Sequence, residues 1–376
     1  MMRRGSKIIC LILMAAVTST STVGIDSARA ELPRQGVPPK AARLKLVQSL
    51  GSSQLSPKSI VASSMGRVIA QNMIYTHGVS VFNADGNEVT RVSDTVARKL
   101  LGLKGRGTVE GAPVEAAFSP DGRYAYVSNY YMTGAGFNKK GFDKCSGSVE
   151  YDKSYLYKID MTTNAVVAAV QVGSVPKYVA VTANNKYALV SNWCSYSISV
   201  IDLQTFTPVK EIEVGRYPRG LVSTKDSSRV YFTVMGAGKI GYIDMATFAV
   251  TTWKSAASTP RHVVLSPDDK ILYVSHNLSS IVTSHNATNG KVLRRVATGT
   301  EPRTMEIAPD GSALWVVNYA SNTLTVVNTT TMLVQQSIAT PPKPIGVTYE
   351  PTLRRVWVAC YGGQIRVYQV RTPKPA

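Results

Sequence analysis

Apolar and polar residues alternate along this chain in short runs of six or seven positions, as in "RYAYVSN", "KYALVSN", "ILYVSHN" and "ALWVVN". Such alternation is the signature of a strand with one face buried, and nowhere does a sustained helical period replace it. Each run follows a turn phrase, "SPDG" at Ser119, "SPDD" at Ser266, "APDG" at Ala308 or "TANN" at Thr182. Proline presets φ in such a turn, and Asx or Gly tolerates the left-handed position. Six residues before the turn stands a proline, and this proline recurs at Pro176, Pro218, Pro260, Pro302 and Pro344, every 42 residues. Pro113 and Pro57 extend the series upstream with two insertions, so seven units fit. A period of this length marks a propeller or another stacked-repeat architecture.

Twenty-six residues after the proline, allowing for the insertion in the second unit, an Asp or Asn ends the third strand pattern: Asn83, Asp160, Asp202, Asp244, Asn286 and Asn328. An Asx turn into a fourth strand such as "VKEIEV" or "VLRRVAT" explains the series, and a catalytic role does not. The seventh unit stops near Val370 with three strands, whereas "RLKLVQSL", Arg43 to Leu50, is an orphan strand pattern upstream of the first unit. Pairing the orphan with the last unit closes a ring and removes two bare sheet edges. The expected fold is therefore all-β: a seven-bladed β-propeller of four-stranded antiparallel blades, its N-terminal strand completing the last blade. The expected organisation is a secretory signal over residues 1–30, a linker over 31–42, one propeller domain over 43–370 and a tail over 371–376.

The signal assignment rests on Arg3, Arg4 and Lys7 before the apolar run "IICLILMAAV", and on Ala28-Arg29-Ala30 as a cleavage site. The run is too short to span a bilayer, and Cys10 within it lacks the small neighbours of a lipidation site. Export places the protein in the periplasm, cell envelope or medium. Removing the signal lowers the formal charge from +19 to near +16, still strongly basic. That charge favours anionic partners: nucleic acid, acidic glycans or cell-wall polymers.

The phrases "RYAYVSNY", "KYALVSNW" and "ASNTLTVVNTTT" resemble the YVTN-repeat family of β-propellers, the group that includes YncE-type periplasmic proteins. The resemblance covers nearly the whole mature chain and implies the propeller fold and an extracytoplasmic home. It implies no single activity, because one fold hosts many.

In a four-stranded blade the innermost strand starts at one face of the disc beside the central channel, and a proline there costs no ladder hydrogen bond. The residue after it is then expected at the channel mouth: Lys58, Val114, Lys177, Arg219, Arg261, Arg303 and Ile345. Five of these seven are cations, which would focus positive potential over a concave opening. Glu115, Glu301 and Glu306 are the carboxylates in sequence that could pair with them. The loops between second and third strands belong to the same face and carry Tyr130, Tyr131, Trp193, Tyr319 and Tyr361 among amides such as Asn277. Both insertions are assigned to those loops: one with Arg98, Lys99, Lys104 and Arg106, the other with Lys139, Lys140 and Lys144. Basic loops with interleaved aromatics suit a phosphate backbone with stacked bases, or the sugar rings of an acidic glycan.

Three cysteines outlast signal removal, and an odd count in an oxidising compartment leaves one over. Cys145 and Cys194 fall in neighbouring loops of adjacent blades, so a Cys145–Cys194 bridge is expected, with Cys360 a buried thiol. His262 and His276 share a blade and are expected at the mouth; His77 and His285 complete the histidines, and none has metal-ligand spacing. No cofactor motif, nucleophile elbow or Walker loop occurs. The reading preferred from sequence is a secreted, monomeric, non-enzymatic propeller that binds an anionic ligand without cofactor or metal. It would use Lys58, Lys177, Arg219, Arg261, Arg303, Tyr130, Trp193, Tyr319, Tyr361, His262 and His276. Two alternatives stand beside it: a lactonase-like hydrolase acting on a small substrate in the channel, and a cell-envelope scaffold that meets another protein.

Overall fold

A computed structural model describes residues 43–73, 75–130 and 143–371. The proposed signal, the linker, Tyr131, Lys139, Lys140 and residues 372–376 lie outside the described residues. Seven four-stranded antiparallel sheets follow one another around a ring. Blade 3 is representative, with strands Pro176–Val181, Tyr187–Asn192, Ser197–Asp202 and Thr207–Glu213. The apolar side of each alternating strand packs against the next blade. Trp315, Val317 and Leu324 of blade 6, for example, meet Val347, Val356 and Val358 of blade 7.

The ring closes as the orphan strand requires. Arg43–Gly51 pairs antiparallel with Gln364–Arg371 as the outermost strand of blade 7, Leu44 opposite Val370 and Leu50 opposite Ile365. Gln336 of blade 6 clasps this strand, its amide accepting from Leu44 N–H and donating to Leu44 C=O, both at 3.0 Å. Blade 7 then packs on blade 1 through Trp357, Ile365, Phe82 and Leu55. The Asx series does what its spacing requires: Asn83, Asp160, Asp202, Asp244, Asn286 and Asn328 each accept backbone N–H groups two to four residues on.

The first insertion is a correction to the sequence reading. Residues 93–112 lie between the fourth strand of blade 1, Glu88–Val92, and the first strand of blade 2, Pro113–Phe118. They fold as a two-stranded ribbon, Val96–Ala97 with Thr108–Val109, around a short 3-10 turn at Arg98–Leu101. Leu100, Leu101 and Leu103 explain the placement, because they cover Tyr155 and Tyr157 on the third strand of blade 2. The spacing of the prolines carries the length of an insertion but not its position within the unit.

Candidate functional site at the channel mouth

The innermost strands of blades 3 to 7 begin with the same local device. The residue before the proline takes a left-handed φ: +53° at Val175, +64° at Tyr217, +52° at Thr259, +56° at Glu301 and +60° at Lys343. For β-branched Val175 and Thr259 this is a costly conformation, so the surroundings must enforce it. Part of that enforcement is a backbone bond, since the carbonyls of Val175, Tyr217, Thr259, Glu301 and Lys343 accept from the N–H groups of Trp193, Met235, Asn277, Tyr319 and Tyr361. The proline then pairs with the end of the second strand, and one extra residue follows before the ladder resumes, as between Pro176 and Val179. A one-residue bulge of this kind re-aims a side chain. Here the residue it carries is the cation.

The bulge is held by hydroxyls that also stitch the blades together. Ser128, Ser191, Thr233 and Ser275 accept the N–H of Glu115, Tyr178, Gly220 and His262 at 2.9–3.2 Å. Each then donates to the carbonyl of the cation in the next blade: Lys177, Arg219, Arg261 and Arg303, at 2.7–3.0 Å. Blade 6 has Val317 at that second-strand position, and Thr304 on the first strand supplies the missing bond to Ile345 C=O at 2.7 Å. Ser59 of blade 1 does the same for Val114 C=O of blade 2. Lys177, Arg219, Arg261 and Arg303 are thus pinned through their own backbones.

Contacts between blades that are not neighbours can be made only across the channel, and two of them define the mouth. Arg219 of blade 4 donates through Nη2 to Glu115 Oε1 of blade 2 at 3.1 Å. Below them Tyr178 of blade 3 meets His262 of blade 5 edge to face, ring centroids 4.9 Å apart. Two more ion pairs stand at the rim, Lys177–Asp143 at 3.3 Å and Arg303–Glu301 at 3.4 Å. Five basic side chains therefore face three carboxylates at ion-pair distance. Among the described residues, Lys58 and Arg261 have no carboxylate within ion-pair distance. Lys58 lies 5.5 Å over the Tyr361 ring, and Arg261 Nη1 lies 3.9 Å from Met235 Sδ.

Burial and crowding act together on these groups. Burial first, then Lys177, Arg219, Arg303 and Arg261, hold Lys58 well below the usual lysine range. Burial lowers Lys177 to about 7, opposed by Asp143 and reinforced by Arg219. Glu115 is pushed up by burial, against the pull of Arg219, Lys58 and Arg261. His262 is lowered to about 3 by burial and by Arg219 and Arg261, so it is neutral. Its Nδ1 accepts the Met305 N–H at 3.3 Å, which places the proton on Nε2.

The aromatic residues expected at the mouth pack on the cations. Tyr130 and Trp193 flank Lys177 at 4.7 and 5.5 Å, and Tyr319 lies 3.5 Å from Arg303. His276 does not join them. It is fully buried inside blade 5, bonded to Thr283 at 2.8 Å, and Thr283 bonds on to His285 at 2.7 Å. The reason is its position at the end of the second strand, where a side chain faces the third strand instead of the channel. The Cys145–Cys194 bridge is present, Cα atoms 5.4 Å apart, and Cys360 is a free buried thiol. Sequence reasoning missed Asp143, Met235 and Tyr178. Met235 was in reach, since it holds the offset from its proline that Tyr130, Trp193, Tyr319 and Tyr361 hold from theirs.

No group of three or more metal-ligating side chains gathers among the described residues, and no described helix is long and apolar enough to cross a membrane. Solved structures share the fold. A chain of hydrazine synthase from Kuenenia stuttgartiensis matches with a TM-score of 0.68 at 17% identity, over 86% of this chain and 98% of that one. A chain of the mitotic checkpoint complex matches with a TM-score of 0.65 at 13% identity, over 96% of this chain and all of that one. Such low identities speak for architecture alone. No curated protein matches the chain. The family described as "Lactonase, 7-bladed beta-propeller" matches residues 152–342, just over half of the sequence. The chain belongs to the lactonase family of seven-bladed β-propellers.

Proposed function

We propose that the channel mouth binds a small anionic molecule, a carboxylate or phosphate ester, whose charge is received by Arg261 and by Lys58, which takes up a proton as the anion binds. The observation that carries this reading is the surplus of two basic side chains, Lys58 and Arg261, over the carboxylates that form ion pairs at the channel opening. Like charges held this close repel unless an anion joins them. Lys177, Arg219 and Arg261 are only 3%, 5% and 9% exposed, which favours a compact ligand over a polymer backbone lying across the face. Where a nucleic acid or acidic glycan is the partner, a terminal or protruding group would make the contact. The basic N-terminal segment and the disulfide support an extracytoplasmic protein, read here as a monomer.

A second reading is favoured by family membership and by Lys177. Opening a lactone needs a water attacking the carbonyl carbon, cleavage of the ring C–O bond, and a proton for the departing alkoxide. Arg219 and Arg261 would stabilise the oxyanion, and Lys177, lowered to about 7, would take the proton from water as a base and return it to the departing alkoxide. The test is calorimetric titration with acetate, succinate, citrate and glucose 6-phosphate beside a turnover screen of small lactones. Binding without turnover is the expected result. Hydrolysis that is lost in Lys177→Met would support the second reading, and neither binding nor hydrolysis would remove both.

A further inference from the structure

The second insertion brings to the mouth something the repeat cannot. Asp143 belongs to blade 2 yet stands against Lys177 of blade 3, Oδ2 to Nζ 3.3 Å. Two residues further on, Cys145 is bonded to Cys194, in the loop after the second strand of blade 3. Both half-cystines are buried, at 7% and 9% exposed. Around the bridge, Trp193 Nε1 donates to Asp143 C=O at 2.7 Å, and the Tyr217 hydroxyl donates to Cys145 C=O at 3.2 Å. The Trp193 and Tyr217 rings stack with centroids 4.5 Å apart. Among the described residues no β-ladder crosses from this insertion to blades 3 and 4, and side chains and the bridge hold Asp143 there.

Lys177 is surrounded by groups of one sign apart from this residue. Lys58, Arg219 and Arg261 act on it from blades 1, 4 and 5, and Glu115 is already engaged by Arg219. Its remaining polar neighbour is the Tyr130 hydroxyl, which Nζ contacts, with the Tyr130 and Trp193 rings on either side. Among the described residues Asp143 is the one carboxylate within ion-pair distance of it.

We infer that the Cys145–Cys194 bridge is a positioning device: it holds Asp143 where that carboxylate keeps Lys177 an ammonium, and so sets the charge offered to the ligand. The inference rests on the reading of the mouth as an anion site for its consequence, and on the Asp143–Lys177 contact for its premise. With the bridge open, or the carboxylate gone, Lys177 faces three cations and no anion. Its proton then leaves, and the mouth loses one positive charge and gains a neutral, nucleophilic amine.

The experiment needs no ligand. The full chain is treated with trace acetic anhydride across a range of pH, and acylation at Lys177 is read by peptide mass spectrometry. Asp143→Asn should be acylated at pH 6 about tenfold faster than the oxidised wild type, because an ammonium without its carboxylate gives up its proton roughly tenfold more readily. Thiol-reduced wild type and the Cys145→Ser/Cys194→Ser double variant should match Asp143→Asn, and reducing Asp143→Asn should add nothing. Asp143→Glu should restore the wild-type profile, which a merely structural role would not require. An unchanged rate in Asp143→Asn would overturn the role of Asp143. A changed rate there with no change on opening the bridge would overturn the role of the bridge. Succinate titrated in parallel separates the two readings, because failure of the oxidised protein to bind it removes the anion site and leaves the labelling result intact.

Discussion

Arg219 and Glu115 meet at 3.1 Å from blades that are not neighbours, both less than a tenth exposed, so their pair spans the open centre of the ring. A buried pair of this kind contributes little net stability when whole, and costs much when halved. Glu115→Ala should therefore destabilise by about 3–5 kcal/mol, because Arg219 is left charged and unpaired. Glu115→Gln, which keeps the acceptor, should cost less, and a pair of urea titrations measures both.

The exchange between Thr304 and Val317 gives a second expectation. Thr304→Val removes the donor to Ile345 C=O and should cost about 1–3 kcal/mol, the range for a buried acceptor left unmade. Val317→Thr places a hydroxyl where Thr233 and Ser275 carry theirs, and should recover part of the loss in the double variant. Additive losses in a double-mutant cycle would show that the two positions do not serve the same bond.

Acid should weaken blade 5 through its buried histidines. Burial lowers His276 to about 4 and lowers His285 as well, so the fold keeps both neutral. A depressed folded value means stability that is complete above the unfolded value, near 6.5, and lost as pH falls towards the folded one. Glu306, raised by burial to about 7, acts in the opposite sense, so the comparison must be made against a variant. The stability advantage of wild type over His276→Gln should shrink between pH 6.5 and 4, by up to about 1.4 kcal/mol per pH unit. Thermal melts at half-unit steps of pH measure it.

Removing residues 43–51 should convert a closed ring into one with bare edges. The strand Gln364–Arg371 would lose its partner and Gln336 would lose both of its bonds to Leu44. Soluble yield should fall and light scattering should rise, since an unpaired strand edge is a template for other chains. Supplying the segment as a separate peptide should reverse part of the effect.

What was readable in advance follows from what a repeat can encode. The period and the turn phrases specified seven blades, and the three-strand last unit specified the closing strand Arg43–Gly51. The Cys145–Cys194 bridge was readable because both cysteines follow second strands of adjacent blades. The convergence of the five cations was readable as an offset from a proline. Glu115 and Glu301 were readable as candidate partners but not which cation each meets, and Asp143 was not readable because it lies in an insertion that no other blade repeats. His262 and His276 show the limit most plainly. They share a blade, but one follows the bulge beside the channel and the other faces the third strand, a difference of strand and side that composition does not carry. The hydroxyls at Ser128, Ser191, Thr233 and Ser275 recur at one offset from their prolines, but their two bonds each appear only in three dimensions.

The most direct test of an anion site at the mouth is calorimetric titration of succinate or citrate into wild type and into the Lys58→Gln/Arg261→Gln double variant, at low and moderate salt. Wild type should bind one anion, more weakly as salt rises, and the double variant should lose at least tenfold in affinity while melting no earlier. Equal affinity in the two proteins, or no binding to either, would contradict the account.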